Sequence, residues 1–418
     1  MLVVWRNKMG LSSYIKRYLE DIAFSPVFSR QMRFIAGPRQ TGKTTIAKKK
    51  LERSSNDGLY YNWDKKELRN RYRHETDFVS SDMLNLSKKN NIWVCFDEIH
   101  KMPKWKNILK DFFDTHEKKV NFIVTGSARL DMFRKSGDSL AGRYFFFKLN
   151  PLLLSEIKGR KIAAIKPEKE ANETVSKFIS TMEYYQKPLE NMLKHSSFPE
   201  PLLRNNSLFS KKWHENYFEK IVKEDIRDIS AIHQLEKVMD LLYLLPSKVG
   251  APLSINSLKG DLELNFNTVR NYINYLNMAY ILFEISPYNK KMHRLIKKEK
   301  KIYFYNYSII NNEAAKFENF VALELKARID LWNDICSDKY GLSFVRTRDG
   351  KETDFLILKN SQPFFLCEAK LSDTDISSHH YLHSKHLGDI PFVQIVKESG
   401  VLKVKQDKYY IVSASRFF

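Results

Sequence analysis

Gly37-Pro38-Arg39-Gln40-Thr41-Gly42-Lys43-Thr44 fills the pattern G-x-x-x-x-G-K-[ST], and it follows a short apolar run, Phe34-Ile35-Ala36, that reads as a strand. Helix-forming residues, Thr45-Ile46-Ala47-Lys48-Lys49, come directly after it. Strand, glycine-bounded loop and helix are the parts of a phosphate cradle. Gly37 and Gly42 let the backbone curl so that successive N–H groups face the β- and γ-phosphates, with the positive end of the next helix behind them. Lys43 supplies a mobile cation and the Thr44 hydroxyl a hard oxygen for Mg²⁺. The stretch from Gly37 to Thr45 is therefore expected to bind a nucleoside triphosphate.

Some fifty residues on, Ile92-Trp93-Val94-Cys95-Phe96 runs into Asp97-Glu98. A continuous apolar run ending in acids is the pattern of a buried parallel strand that delivers carboxylates to its C-terminal edge, where open α/β sheets bind ligands. Asp97 is expected to hold Mg²⁺, directly or through water, and Glu98 to orient and deprotonate the attacking water. The next run, Val120-Asn121-Phe122-Ile123-Val124, ends in Thr125-Gly126-Ser127-Ala128-Arg129. Thr125 or Ser127 is placed to hydrogen-bond the γ-phosphate or the water; an ordinary strand-ending turn is the alternative. Leu59 to Asp64 supplies a further strand.

These residues resemble a family, the AAA-superfamily ATPases of archaea and bacteria whose ATPase module is joined to a C-terminal domain of uncertain function. The resemblance rests on residues 37 to 44, on Phe96-Asp97-Glu98-Ile99-His100, on Thr125-Gly126-Ser127-Ala128, and on Ser139-Leu140-Ala141-Gly142-Arg143 followed by Leu149-Asn150-Pro151-Leu152. It implies a five-stranded parallel core, a Walker A and a Walker B as assigned above, ATP and Mg²⁺ as ligands, and a sensor at the 125 to 127 turn. Arg143 matches the family's Leu-Ala-Gly-Arg stretch. An arginine there either reaches a γ-phosphate, in its own subunit or a neighbour, or forms a surface salt bridge at the start of the Tyr144-Phe145-Phe146-Phe147 strand. Arg129 is a weaker rival.

The bulk properties point the same way. At 418 residues the chain is long enough for several domains, and none needs a disulfide to fold. Cys95, Cys336 and Cys367 are odd in number, far apart and set in apolar runs, which suits reduced core thiols rather than a zinc site. Met1 to Arg6 holds too short an apolar stretch for a signal peptide, and no run approaches a membrane span, so a soluble cytoplasmic protein is expected. Lys plus Arg number 70 against 49 Asp plus Glu, a formal charge of +21, which favours a polyanionic partner with DNA as first candidate. A membrane surface ranks well below it, because no segment pairs a basic face with an apolar one.

From Lys158 to about Lys187 the chain is charged and reads as helical lid or connecting segments on the surface. Lys223-Glu224-Asp225-Ile226-Arg227-Asp228 again looks like the family, without a role to assign. Residues 234 to 286 then give helix, short helix, helix and strand, the order of a winged helix-turn-helix. Its third helix would turn Arg270, Asn271 and Asn274 outward to bases or phosphates; the alternative is a module that only packs domains together. Just beyond, the basic run from Lys290 to Lys301, interrupted by Glu299, suggests a phosphate-contacting strip.

Near the C-terminus, Asp354-Phe355-Leu356-Ile357-Leu358 and Phe364-Phe365-Leu366-Cys367-Glu368-Ala369-Lys370 flank a turn and read as a hairpin. Glu368 and Lys370 share a face, and Asp354 reaches it from the partner strand. Asp followed by Glu-x-Lys on the adjoining strand is similar to the PD-(D/E)XK nucleases, although Glu352 and Thr353, rather than proline, precede Asp354. That resemblance implies Mg²⁺ on Asp354 and Glu368, a water-activating Lys370, and a helical glutamate, Glu318, with Glu324 as the alternative. Glu352 would be no more than an exposed partner to Lys351 or Arg348.

The expected fold class is α/β: an AAA-type P-loop NTPase parallel sheet, helical segments, a winged helix and a restriction-endonuclease-like α/β domain. The expected domains are a P-loop core over 1–157, a helical lid or linker over 158–232, a winged helix over 233–290 and a nuclease-like domain over 291–418. The function expected is an ATP-hydrolysing switch that acts on or binds DNA. The rival is a regulatory ATPase with a catalytically inactive C-terminal module and a protein partner or a second copy of itself.

Overall fold

The computed structural model describes residues 14–28, 30–54, 59–84, 92–126, 140–227, 234–289 and 299–418. Ser127, Arg129 and residues 290–298 of the basic run lie outside them.

Five parallel strands form the first sheet: β1 (Met32–Ala36), β2 (Tyr60–Asn62), β3 (Ile92–Asp97), β4 (Val120–Thr125) and β5 (Tyr144–Lys148), in the spatial order β2-β3-β4-β1-β5. Every residue of β1 and β3 is buried, because helices cover both faces and leave no position facing water. One face packs on α1 (Tyr18–Ala23) and α2 (Lys43–Arg53), through Leu19, Ile22, Ile46 and Leu51. The other packs on α3 (Trp105–His116), through Ile108, Leu109, Phe112 and Phe113. With all strands parallel, Ala36, Asp97 and Thr125 end at the same edge.

The register also fixes Arg143. Tyr144 pairs with Met32 and Lys148 with Ala36, so Arg143 lies at the opposite edge from the phosphate loop, at least four strand residues or roughly 13 Å away. There it forms an exposed ion pair with Asp114 of α3, Nε to Oδ1 at 2.8 Å. The expectation that Arg143 reaches a γ-phosphate of its own subunit is thereby corrected: within the subunit it makes the surface salt bridge.

The segments expected to lie on the surface after Lys158 are instead part of a core. Helix α4 (Ala171–Ile179) buries Val175 and Phe178, and the Phe178 ring stacks on Trp332 at 6.0 Å. Helices α5 (Gln186–His195) and α6 (Ser207–Lys220) join the same apolar cluster through Leu189, Met192, Trp213 and Tyr217. Their charged residues had masked a helical apolar stripe.

Three helices follow, α7 (Leu235–Leu244), α8 (Ile255–Leu262) and α9 (Phe266–Met278), before β6 (Leu282–Pro287) and β7 (Lys301–Phe304). Asn265 starts α9 by accepting a hydrogen bond from the Thr268 N–H at 2.8 Å. The long helix α10 (Glu313–Ile335) then crosses the second sheet, whose remaining strands are β8 (Tyr340–Arg346), β9 (Glu352–Lys359), β10 (Gln362–Lys370), β11 (Phe392–Val396), β12 (Leu402–Lys405) and β13 (Tyr409–Ser413). The order is β12-β13-β11-β10-β9-β8-β6-β7. Since β6 pairs with both β7 and β8, the boundary placed between residues 290 and 291 cuts a strand pair rather than a linker.

A buried arginine that carries no sequence motif ties the phosphate loop to the segment that leaves the first sheet. Arg17, 5% exposed, donates from Nε to Glu156 at 2.9 Å, from Nη1 to the Thr41 carbonyl at 2.9 Å, and from Nη2 to the Asn150 and Pro151 carbonyls at 2.7 and 3.1 Å. Asn150 also donates to Asp330 of α10 at 3.0 Å, and Glu324 of α10 accepts the Leu154 N–H at 2.7 Å. Arg17→Ala leaves three carbonyls without their donor and Glu156 with only the Tyr18 and Leu153 N–H groups, and should lower stability by about 3–5 kcal/mol, the cost of breaking a buried ion pair from one side. Urea unfolding measures it; a loss below about 1 kcal/mol would show that water replaces the guanidinium.

Candidate functional site

The phosphate loop turns tightly because two of its residues lack side chains. Gly37 has φ +146, and a Cβ on it would lie 2.2 Å from the Leu149 carbonyl oxygen. Gly42 has φ +99 and opens α2. Lys43 is buried and its ammonium donates to the Gly37 and Pro38 carbonyls at 2.9 and 2.7 Å. Thr41 is tied into the loop through the Pro38 carbonyl at 2.9 Å, and Gln40 takes φ +60.

At the ends of β3 and β4 the side chains converge on Asp97. Its carboxylate accepts from the Thr44 hydroxyl at 2.9 Å and from the hydroxyls of Thr125 and Tyr60. Thr125 is fully buried and committed to Asp97, so the expectation that it contacts a γ-phosphate is corrected: it positions the carboxylate. Tyr60 was not foreseen, though its place on the strand beside β3 is the signal that could have found it.

Glu98 adopts φ +57, uncommon for a residue with a side chain, and its N–H is held by the Thr125 carbonyl at 2.9 Å. Burial raises its carboxyl pKa to about 7 against the opposing pull of Lys43. Burial likewise lowers the Lys43 ammonium to about 8. A carboxylate poised near neutrality beside a cation at a sheet's ligand edge is equipped to take a proton.

The loop has a second cation, Arg39, and the structure commits it elsewhere. Its Nη1 meets Glu224 at 2.7 Å and its Nη2 meets Asp225 at 2.6 Å. Both acids sit on the π-helical turn Ile221–Ile226 that continues α6.

The C-terminal hairpin forms, with Cys367 opposite Phe355 and thus Glu368 beside Asp354. Asp354, Glu368 and Lys370 line a cleft of about 390 Å³ together with Glu318 and the turn Val249–Gly250–Ala251. Gly250 is required there: with φ +84, a Cβ would lie 2.6 Å from a Glu318 carboxylate oxygen.

The expected magnesium triad of Glu318, Asp354 and Glu368 does not fit this arrangement. Lys301, fully buried at the start of β7, puts its ammonium 2.6 Å from Glu352, 3.1 Å from Asp354 and 3.3 Å from Glu318. Burial opposes that charge, but Asp354, Glu318 and Glu352 outweigh it and hold the lysine protonated. Glu368 turns instead to the Asp354 N–H at 3.1 Å and to Lys370 at 2.8 Å. Among the described residues no group of three or more His, Cys, Asp or Glu side chains is arranged to hold a metal ion.

Three further expectations are corrected with it. Lys301 is an interior cation, not part of a phosphate-contacting strip, and a lysine opening the apolar run Ile302-Tyr303-Phe304 was the available signal. Glu352 is its partner rather than an exposed acid, and Glu324 lies away from the cleft on the Leu154 N–H. Behind Glu368 stands a group the sequence reading missed. His380 and His383 both meet the Thr353 hydroxyl through Nδ1 at 2.8 Å.

Residues 29–158 match a family model described as an AAA domain, and residues 186–319 match one described as a domain of unknown function, DUF8612. The uncharacterized protein MJ1637 of Methanocaldococcus jannaschii is 25% identical over 312 residues, 70% of this chain and 63% of that protein. A UV DNA damage endonuclease of Clostridium perfringens is 28% identical over 251 residues, 55% of this chain and 54% of that one. The matches thus span less than two thirds of either relative. AMPPCP-bound DnaA from Aquifex aeolicus overlays with a TM-score of 0.31 and 13% identity, over 76% of this chain and 91% of that chain. Residues 29–158 therefore have the AAA-type P-loop ATPase fold, on the family match and on the parallel sheet with its loop. No helix among the described residues is long and apolar enough to cross a membrane.

Two outcomes follow from these charges. Lys301→Met leaves Glu318, Glu352 and Asp354 crowded without a cation and should cost about 3–5 kcal/mol at neutral pH, less in acid as the carboxyls protonate; thermal unfolding across pH checks it. A base with a pKa of about 7 works only when deprotonated, and a lysine of about 8 holds phosphate only when charged. ATP turnover at low substrate should therefore rise through pH 7 and fall above pH 8, and Glu98→Gln should reduce it by about 10²–10⁴.

Proposed function

We propose that this chain is an ATP-hydrolysing switch that binds DNA through its helical and C-terminal region without cutting it. The observation that carries the reading is the meeting of Lys43, Thr44, Asp97 and Glu98 at one sheet edge, with the Thr44 hydroxyl 2.9 Å from the Asp97 carboxylate. Backbone N–H groups of Gly37 to Thr45 would cradle the phosphates, and Lys43 would swing from its two carbonyls to the β- and γ-phosphates. Thr44 and Asp97, two hard oxygens side by side, suit Mg²⁺, which when bound would offset charge on the phosphoryl oxygens. Glu98 would orient water and accept its proton.

Several features support DNA as the partner of the other half. The formal charge is +21, and Arg270, Asn271 and Asn274 are exposed along one side of α9. A relative is named for action on damaged DNA. The ammonium of Lys301 among three carboxylates favours binding over cleavage. The contacts of Arg17 and Asn150 offer a path by which the nucleotide site acts on α10.

Purified protein should release phosphate from ATP, lose that activity with Lys43→Ala, and bind duplex DNA with an affinity that falls steeply between about 50 and 200 mM salt. It should leave linear and branched DNA intact in Mg²⁺ or Mn²⁺. Cutting that Asp354→Ala abolishes would restore the nuclease reading. ATP turnover without any DNA affinity would assign the basic surface to a protein partner.

A further inference from the structure

Arg39 is a side chain of the phosphate loop held by acids 185 and 186 residues further along the chain. Its two terminal nitrogens are shared between Glu224 and Asp225, so the guanidinium fork is fully committed on that side. Asp225 is nearly buried, with 9% of its side chain exposed, and Arg39 retains 22%. The Arg39–Asp225 pair is shielded enough to be screened little by salt, whereas Glu224 stands half exposed.

The acids are neighbours in sequence, and neighbours on a regular α-helix point about 100° apart. They are not on a regular helix. Ile221–Ile226 is a π-helical turn, a form that recurs at functional sites, and here it brings both carboxylates to one guanidinium. One turn earlier, Tyr217 is 4% exposed and its hydroxyl has no hydrogen-bond partner. It lies within the field of both Asp225 and Arg39. An orphaned buried hydroxyl is costly unless another arrangement supplies its partner.

Asp225 also acts electrostatically on Lys43, the residue that serves the β- and γ-phosphates. The carboxylate pair is held at the loop itself, through the 2.7 and 2.6 Å contacts with Arg39. A triphosphate seated there offers Arg39 phosphoryl oxygens and repels the two acids, whereas a diphosphate lacks the γ-phosphate.

We infer that Glu224 and Asp225 are specificity-determining residues of the nucleotide site: they compete with the γ-phosphate for Arg39, so that a triphosphate, and not a diphosphate, frees the turn Ile221–Ile226 from the loop. On release, Asp225 takes the Tyr217 hydroxyl as its donor. The segment matched to DUF8612 thereby reads which nucleotide is bound. This inference rests on the nucleotide reading above.

The test is equilibrium binding of a non-hydrolysable ATP analogue and of ADP, each with Mg²⁺, to the full chain and its variants. Glu224→Gln with Asp225→Asn should tighten analogue binding about tenfold and leave ADP binding within about twofold, since only the γ-phosphate meets the acids. Arg39→Gln, which keeps the loop's backbone, should weaken the analogue and not ADP, and serves if the double variant fails to fold. Tyr217→Phe should weaken the analogue several-fold. Equal shifts for both nucleotides, or none, would make the contact a purely structural clasp and overturn the inference. Wild-type protein that binds neither nucleotide would overturn the nucleotide reading together with this one, whereas Lys43→Ala should abolish both bindings under either outcome.

Discussion

One buried guanidinium braces the phosphate loop against the segment by which the chain leaves the first sheet. Arg17 touches the Thr41 carbonyl in the phosphate loop, the Asn150 and Pro151 carbonyls where the chain leaves the first sheet, and Glu156 on the short helix after it. Thr41 lies more than a hundred residues from the other sites, which follow one another closely in the chain. Only a planar fork with five donors can satisfy them at once, which a lysine could not do. The same guanidinium that braces the loop therefore also holds the segment from Asn150 to Glu156, whose Asn150 and Leu154 contact Asp330 and Glu324 of α10.

Two clusters of acids meet two different fates around this frame. At the edge of the first sheet, Asp97 and Glu98 face the cation Lys43, which is bound only to carbonyls of its own loop and can exchange them for phosphate. In the C-terminal cleft, Glu318, Glu352 and Asp354 surround Lys301, whose side chain is wholly buried on a strand and has no such exchange open to it. The first arrangement is poised for a ligand. The second has its neutralising charge built in, so a fold whose hairpin looks like a nuclease need not act as one.

Much of the first half was legible because its chemistry is local in sequence. The loop from Gly37 to Thr44, the run into Asp97 and Glu98, and the run into Thr125 each announce a strand with polar residues at its end, and parallel pairing then gathers those ends. The C-terminal hairpin was legible for the same reason, its acid and Glu-x-Lys lying on adjoining strands. What stayed hidden depends on pairings across long separations. Lys301 looked like the tail of a basic run, Glu352 like a surface acid and the helices after Lys158 like a lid, because charge was read without knowing which side each residue turns inward. Arg143 was ambiguous until the register of β5 placed it at the far edge. Arg17 and the Arg39 contact with Glu224 and Asp225 carry no motif; partners 139 and 185 residues away define them.

The central claim is that a triphosphate binds this loop and is felt by the distant helical turn. The measurement that tests it most directly is an experimental structure of the full chain with a non-hydrolysable ATP analogue and Mg²⁺. The account expects phosphates cradled from Gly37 to Thr45, Lys43 turned from its carbonyls to the phosphates, and Arg39 parted from Glu224 and Asp225. A nucleotide bound elsewhere, or one seated on the loop with both Arg39 ion pairs intact, would contradict it.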